Sequence, residues 1–524
     1  MNKPESSKKF MIASSKKTQK PSQAAMIIGK DILELISGGM YIDPMSMVRE
    51  YIQNAVDAID EAAKKRKYKN KTPEIRVSID HNERSLAIRD NGIGLSGDKF
   101  ARSMLSVGAS QKIDTDARGF RGVGRFAGLT YCRELIFRSS APGEKSVSEI
   151  RWDGVKFKRL VSDRNYSGDL KNFLKDIAEL SSEDSAKSSD HFFEVELKGI
   201  LRYKNDQLLN ENELYNYLSQ HAPVPFSPEF SYGKEIEDYL EENNVYSAYN
   251  IYVEVDDYEM VVYRPHRDIF EISEIVSDKF NKIEFISIEG LQGGICAVGW
   301  ILHHSYFGVI PERELIRGLR VREGNIQIGK GNLLTDAFPE PRFNSWSVGE
   351  FHIVNRVLVP TGRRDDFEVN TRYADFVNKI ASYGRKIAKI CRQNSQVRNK
   401  FKEFELEADR ARVNVDVLGQ GAISRTYRKQ IDKNLSVSLD KMSAAANSPL
   451  LSETESEKLL RKIGKIESSI AKFNGKSASS DPLANFSKRE QDTYKRVFDL
   501  IYECAPNKVV AQKLIDQILV RLPK

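Results

Sequence analysis

The chain has 524 residues, 40% of them hydrophobic and 30% charged, with a formal net charge of +7. This length exceeds what a single core serves and predicts about three structural units. No apolar run approaches the ~18–20 residues of a membrane span, so neither a membrane protein nor a membrane partner is expected. Cys132, Cys296, Cys391 and Cys504 are scattered, with no Cys-x-x-Cys spacing. They read as reduced thiols of a cytoplasmic protein, not as a disulfide frame or zinc site. The N-terminus lacks the apolar stretch of a secretory signal, so export is not expected.

Residues 1–22 predict a disordered basic tail: Lys3, Lys8, Lys9, Lys16, Lys17 and Lys20 face only Glu5 and supply most of the net charge. Such a tail suits nucleic acid or an acidic partner, although the near-neutral body lacks the excess of a dedicated nucleic-acid binder. A helix is expected from Ala24 to Leu35, ended by Gly38-Gly39, and another from Pro44 to Lys67. Glu74–Asp80 and Leu86–Arg89 alternate like a strand hairpin. Further strands are expected at Glu134–Arg138, Ser148–Asp153, Val155–Leu160 and Phe192–Leu197, around a polar insertion over 161–190. Pro223, Pro225, Pro228 and Gly233 suggest a boundary. Beyond it, Tyr249–Val255 with Glu259–Tyr263 reads as a hairpin, and Ile283–Ile288 and Gly294–Leu302 as strands. From about Tyr373 the chain turns helical, with breaks near Asn447–Pro449 and Asn474–Pro482.

In the helical region Leu459, Ile463, Ile466, Ile470 and Phe473 form an apolar seam after a Ser452-x-x-Glu455 capping box, suited to a coiled coil or to packing within a bundle. The expected fold class is α+β. Its division is the 1–22 tail, a first unit over 23–225, an α+β unit over 230–375 and a helical region over 376–524.

Three strings carry chemistry: Glu50-Tyr-Ile-Gln-Asn54-Ala-Val-Asp57-Ala, Asp90-Asn-Gly92-Ile-Gly94 and Gly119-Phe-Arg-Gly122-Val-Gly124-Arg-Phe-Ala-Gly128. On a helix, Glu50, Asn54 and Asp57 share one face. Glu50 can orient or deprotonate a water, and Asn54 can offer oxygen to Mg²⁺. Asp90 at a strand end can accept from an exocyclic amine while Gly92 and Gly94 admit a flat ring. The third string leaves N–H groups free to surround phosphates. Each string alone is ordinary, but their order is specific.

Together they resemble the N, G1 and G2 boxes of the GHKL superfamily (gyrase, the ninety-kilodalton heat-shock chaperones, histidine kinases and MutL), over roughly residues 24–200. The resemblance implies a Bergerat-fold α/β sandwich ATPase domain over 23–225, with ATP and Mg²⁺ as cofactors. It implies Glu50 as general base, Asn54 as magnesium ligand, Asp57 as support and Asp90 as adenine reader. Gly92, Gly94 and the loop Gly119, Phe120, Arg121, Gly122, Val123 and Gly124 would surround the nucleotide. A P-loop and a phospho-accepting His are both absent from the sequence. The family's Gly-Thr before the last strand is also missing, since the segment reads His191-Phe-Phe-Glu-Val.

Met40–Glu50 and the Gly-x-x-Gly-Val-Gly string resemble the heat-shock chaperones, whereas Ala109-Ser-Gln-Lys112-Ile and Gly119-Phe-Arg-Gly122 resemble a MutL-like lid, with Lys112 as a candidate phosphate contact. Val357-Leu-Val-Pro360-Thr-Gly-Arg363-Arg364 is similar to the chaperones' middle-domain loop, which implies that Arg363 or Arg364 meets the γ-phosphate; the alternative is pairing with Asp365, Asp366 or Glu368. Gly318–Arg322 and Asn325–Gln327 form a polar stretch expected to face nucleotide or client. The function implied is a slow Mg²⁺-dependent chaperone-like ATPase, a homodimer whose lid closes on ATP and which acts on protein clients. The rival is a DNA-associated GHKL ATPase of MutL or Microrchidia type in repair or defence.

Overall fold

The computed structural model describes residues 43–65, 68, 72–106, 124–163, 165–166, 169–184, 191–202, 205–354, 358–474 and 481–523. The expected helix at 24–35 lies outside them. The first described element is α1 (Pro44–Lys64). The Asp43 carboxylate accepts from the Met45 N–H at 3.1 Å, and Pro44 occupies the first turn, where its missing N–H has no partner to lose. There follow β1 (Glu74–Asp80), β2 (Ser85–Asp90), α2 (Gly97–Leu105), β3 (Glu134–Ser140), β4 (Ser146–Asp153), α3 (Gly154–Ser162), α4 (Leu170–Ile177), β5 (Ala178–Asp184) and β6 (Phe192–Lys198). Then come α5 (Glu211–His221), α6 (Gly233–Glu242), β7 (Asn250–Val255) and β8 (Tyr258–Val261).

All eight strands form one sheet in the order β5-β4-β3-β6-β2-β1-β7-β8, antiparallel throughout except where β7 runs parallel to β1. Alternation drives β1: Ile75, Val77 and Ile79 are buried while Glu74, Arg76 and Ser78 are half-buried. The proline-rich stretch at 222–232 turns the chain without ending this sheet. The Tyr249 N–H donates to the Pro223 carbonyl at 2.9 Å, and Ile251 and Val253 of β7 share a core with Val48 and Leu135. The hairpin expected beyond a boundary therefore belongs to the first sheet.

Two local expectations fail for physical reasons. The expected strand at 155–160 is α3: Asp153 accepts from the Lys156 N–H at 2.8 Å, and this cap starts a helix that buries Phe157 and leaves Val155 exposed. Conversely, β5 forms inside the expected polar insertion. It is held by backbone pairing to β4 with six of seven residues exposed, so no apolar alternation marks it.

A ribbon of β9 (Ile269–Ser273) and β10 (Val276–Lys279) precedes a second sheet of β11 (Lys282–Glu289), β12 (Ile295–His303), β13 (Gly318–Glu323), β14 (Ile326–Ile328) and β15 (Val348–Ile353), in the order β11-β12-β15-β13-β14. β12 serves two cores. Ala297 and Ile301 join Phe376, Ile380 and Ile387 of α7 (Thr371–Gln420), while Val298, Trp300 and Leu302 join Ile236 and Leu240 of α6. α7 then leaves the sheet. Its Phe404, Ala408, Ala411 and Leu418 enter a third core with α8 (Arg425–Ala446), α9 (Glu453–Asn474), α10 (Lys488–Cys504) and α11 (Lys508–Arg521).

The seam on α9 packs in this core: Leu459, Ile463 and Ile466 are buried, with Ile470 and Phe473 against them. Of the two packings the spacing allowed, the bundle is the observed one. No helix among the described residues is long and apolar enough to cross a membrane.

Candidate functional site

Between Pro44 and Ile59, α1 is buried around nearly all of its circumference. The partly accessible residues there are Ser46, Glu50, Asn54 and Ala58, a stripe at i, i+4 spacing. Burying the rest of the helix against the sheet leaves one edge open, and that edge carries a carboxylate and an amide. Asp57 is 7% exposed and lies off the stripe.

The stripe runs into the second motif. The Ile93 N–H donates to the Ala58 carbonyl at 3.0 Å, and a Cβ on Gly92 would lie 2.6 Å from the Ala58 carbonyl carbon. Gly94, at φ +64°, packs so closely on β3 that a Cβ would sit 2.0 Å from the Ser140 carbonyl oxygen. Asp90, at the end of β2, is buried, and its Oδ1 accepts from the Gly92 N–H at 2.8 Å. On the far side of Gly92, its carbonyl oxygen is 2.5 Å from Nδ1 of buried His191. Tyr68 meets the His191 ring edge-on and donates to the Asn91 carbonyl at 3.0 Å. Burial and the Asp90 charge push the Tyr68 phenol above its usual range.

Of the third string, Gly124 opens a 3-10 turn (Gly124–Thr130). Gly128 has a packing role: its N–H donates to Tyr51 Oη at 3.0 Å, and Tyr51 in turn donates to the Arg125 carbonyl at 3.1 Å. This fastens the turn to α1. Lys112, Gly119, Phe120, Arg121, Gly122 and Val123 lie outside the described residues.

The second sheet reaches the same stripe through the loop at 360–367, closed by a bridge between Pro360 and Phe367. Arg364, at φ 53°, turns inward and is 6% exposed; its Nε lies 3.9 Å from Glu50 Oε1, and Nη1 lies 3.7 Å from Glu323 Oε2. Arg363 is exposed. Burial pulls the Arg364 guanidinium below the usual arginine range, and Glu50 and Glu323 oppose that shift. The loop is held from α1 itself: Arg49 donates to the Arg363 carbonyl at 2.5 Å and to the Arg364 carbonyl at 3.3 Å. Glu50 and the residue before it thus engage opposite ends of the same neighbour, one its side chain and one its backbone.

The side chains of the polar stretch at Gly318–Arg322 and Asn325–Gln327 turn into the protein, whereas Glu323 between them reaches Arg364. Arg320, Arg322, Asn325 and Gln327 are buried in and beside β13 and β14. Glu350 on β15 lies 2.9 Å from Arg322 Nε and pairs with Arg264. Arg322 Nη2 also donates to the Gln220 carbonyl at 2.6 Å. Burial would raise the Glu350 carboxyl, but Arg264 and Arg322 hold it well below the usual range. Arg49, His191 and Glu323 escaped the sequence reading. The one local signal for Arg49 was a charge on the buried face of an amphipathic helix.

The residues fit a nucleotide and its metal on two grounds. Close packing at Gly92 and Gly94, where a Cβ would strike Ala58, Asp90 and Ser140, seats the Asp90 turn directly beside α1, and Glu50 and Asn54 present oxygen atoms from the open edge of that buried helix. Residues 42–179, which contain that edge, Asp90 and the glycine-rich string, match the family model described as Histidine kinase-, DNA gyrase B-, and HSP90-like ATPase. The chain is 29% identical over 147 residues to the Chaperone protein HtpG of Shigella dysenteriae serotype 1 (strain Sd197) and of Escherichia coli (strain K12), a match covering 24% of this chain and 23% of each relative. It spans under a quarter of the relatives' length.

Proposed function

We propose that this chain binds ATP with Mg²⁺ along the open stripe of α1 and hydrolyses it slowly, as the motor of a chaperone-like machine acting on protein clients. The observation carrying this reading is the junction at Glu50, where a catalytic-type carboxylate on the first sheet's helix and a buried arginine from the second sheet's loop lie 3.9 Å apart. In this reading Asp90 accepts from the exocyclic amine of adenine, and Gly92 and Gly94 let the ring approach. Asn54 holds the metal, which when bound neutralises phosphate charge. Glu50 orients the attacking water, with buried Asp57 supporting it. Arg364 stabilises charge on the γ-phosphate, and exposed Arg363 takes no part in it. Lys112 and the Gly119–Gly124 string are assigned to phosphate contact on the sequence resemblance alone.

The name of the relatives supports the chaperone class. Pairing of two chains on ATP belongs to the same reading, but the α9 seam, buried within the bundle, offers it no surface. A DNA-associated role is separated from it by comparing ATPase stimulation by DNA and by unfolded protein.

The test is a nucleotide titration. Glu50→Ala retains ATP affinity and loses turnover, because the adenine pocket is untouched. Asp90→Asn loses affinity, because an amide cannot reproduce the carboxylate's acceptor pattern. Unchanged affinity in Asp90→Asn rules the pocket out.

A further inference from the structure

The stretch before β6 departs from the GHKL pattern, and the structure gives its histidine a specific partner. His191 Nδ1 lies 2.5 Å from the Gly92 carbonyl oxygen, and the side chain is buried. A carbonyl can only accept, so Nδ1 carries the hydrogen. The peptide group it engages is fixed on both sides: the Gly92 N–H donates to Asp90 Oδ1 at 2.8 Å, and the next N–H, of Ile93, donates to the Ala58 carbonyl at 3.0 Å. Gly92 has no side chain of its own to hold it, and a Cβ there would collide with both Ala58 and Asp90. Orientation of this turn therefore depends on contacts made to its backbone.

We infer that His191 is a positioning residue for nucleotide recognition, which sets the Asp90 carboxylate by donating from Nδ1 to the Gly92 carbonyl. This rests on the ATP-site reading above. His191 approaches from the strand beside β2, whereas the catalytic Glu50 stands on α1, so the contribution falls on binding and not on the hydrolytic step. Tyr68 against the ring edge limits the ring's freedom to turn away.

The geometry separates two conservative replacements. The amide nitrogen of asparagine can occupy the place of Nδ1 and donate to the same carbonyl, while that of glutamine reaches the place of Nε2 and cannot. ATP titration and steady-state turnover are measured on full-length wild type, His191→Asn and His191→Gln, with thermal unfolding to confirm that each variant folds. His191→Gln is expected to weaken ATP affinity and raise KM about tenfold, the loss of one buried hydrogen bond, with kcat within about twofold. His191→Asn stays within about threefold of wild type in affinity. Equal behaviour of the two variants, both impaired or both unimpaired, overturns the assignment. So does a loss confined to kcat. If wild type binds no ATP, the ATP-site reading fails separately, and ¹⁵N-histidine NMR of the nucleotide-free chain still decides the contact: a protonated Nδ1 supports it, and a neutral ring protonated only at Nε2 overturns it.

Discussion

Two sets of buried arginines face buried or half-buried carboxylates, and they are held in opposite ways. In the second sheet, Arg264 and Arg322 close directly on Glu350, and carbonyls of Val224, Gln220 and Asn325 take up their remaining N–H groups. Arg364, slightly more exposed, lies 3.9 Å from Glu50 and 3.7 Å from Glu323, while Arg49 fixes the backbone behind it. The first set is clamped on one carboxylate, and the second bridges the two sheets. A charge buried at contact distance within a fixed network specifies structure. A charge carried to the junction of two sheets, beside an open carboxylate, stands where an arriving phosphate would meet it.

The sharpest way to break the clamped set is Glu350→Gln. Removing the one carboxylate between two buried guanidiniums costs about 3–5 kcal/mol, because both charges remain without water. Chemical denaturation should show this loss, and a change under about 1 kcal/mol would mean that the carbonyls alone satisfy the arginines. The bridging set breaks differently. Arg49→Ala frees the two carbonyls of the Arg364 loop and should lower turnover about tenfold through misplacement, with ATP affinity within about threefold. Equal losses of affinity and turnover would point to collapse of α1 instead.

Acid should act on the clamped set. Burial depresses the imidazoles of His266 to about 3 and His352 to about 4, from the ordinary 6.5. Below about pH 6.5 the unfolded chain therefore takes up protons that the folded chain refuses, so stability present above that pH is lost as pH falls towards 4. Thermal midpoints measured from pH 7.5 to 5 should fall steadily; a flat profile contradicts the buried, neutral assignment. The smallest effect concerns Gln53, 1% exposed, with neither amide atom hydrogen-bonded to a described residue. Gln53→Met should raise stability by about 1 kcal/mol by removing that uncompensated amide.

The two sets also differ in how much of them a sequence can display. Glu50, Asn54, Asp90 and the glycines are contiguous or nearly so, and each is required by local geometry: helix spacing, a strand end, a backbone approach. Those features are legible in a single chain. Arg322 and Glu350 are partners because β15 lies beside β13 in parallel, a pairing between segments separated by other elements, and Arg320 and Arg322 therefore read as a polar stretch facing nucleotide or client. The return of β7 to β1 was hidden for the same reason, since the prolines before it look like an ending. Sequence likewise left Arg363 and Arg364 equivalent; the left-handed backbone at Arg364 separates their directions.

The central claim is that Glu50 and Arg364, carried by different sheets, form one hydrolytic site. Single-turnover ATP hydrolysis, with ATP affinity determined in parallel, tests it on wild type, Arg364→Ala and Arg363→Ala. The account predicts about a 10²-fold slower step in Arg364→Ala with affinity nearly kept, and less than about a threefold change in Arg363→Ala. Full hydrolysis in Arg364→Ala, or equal losses in the two variants, would contradict it.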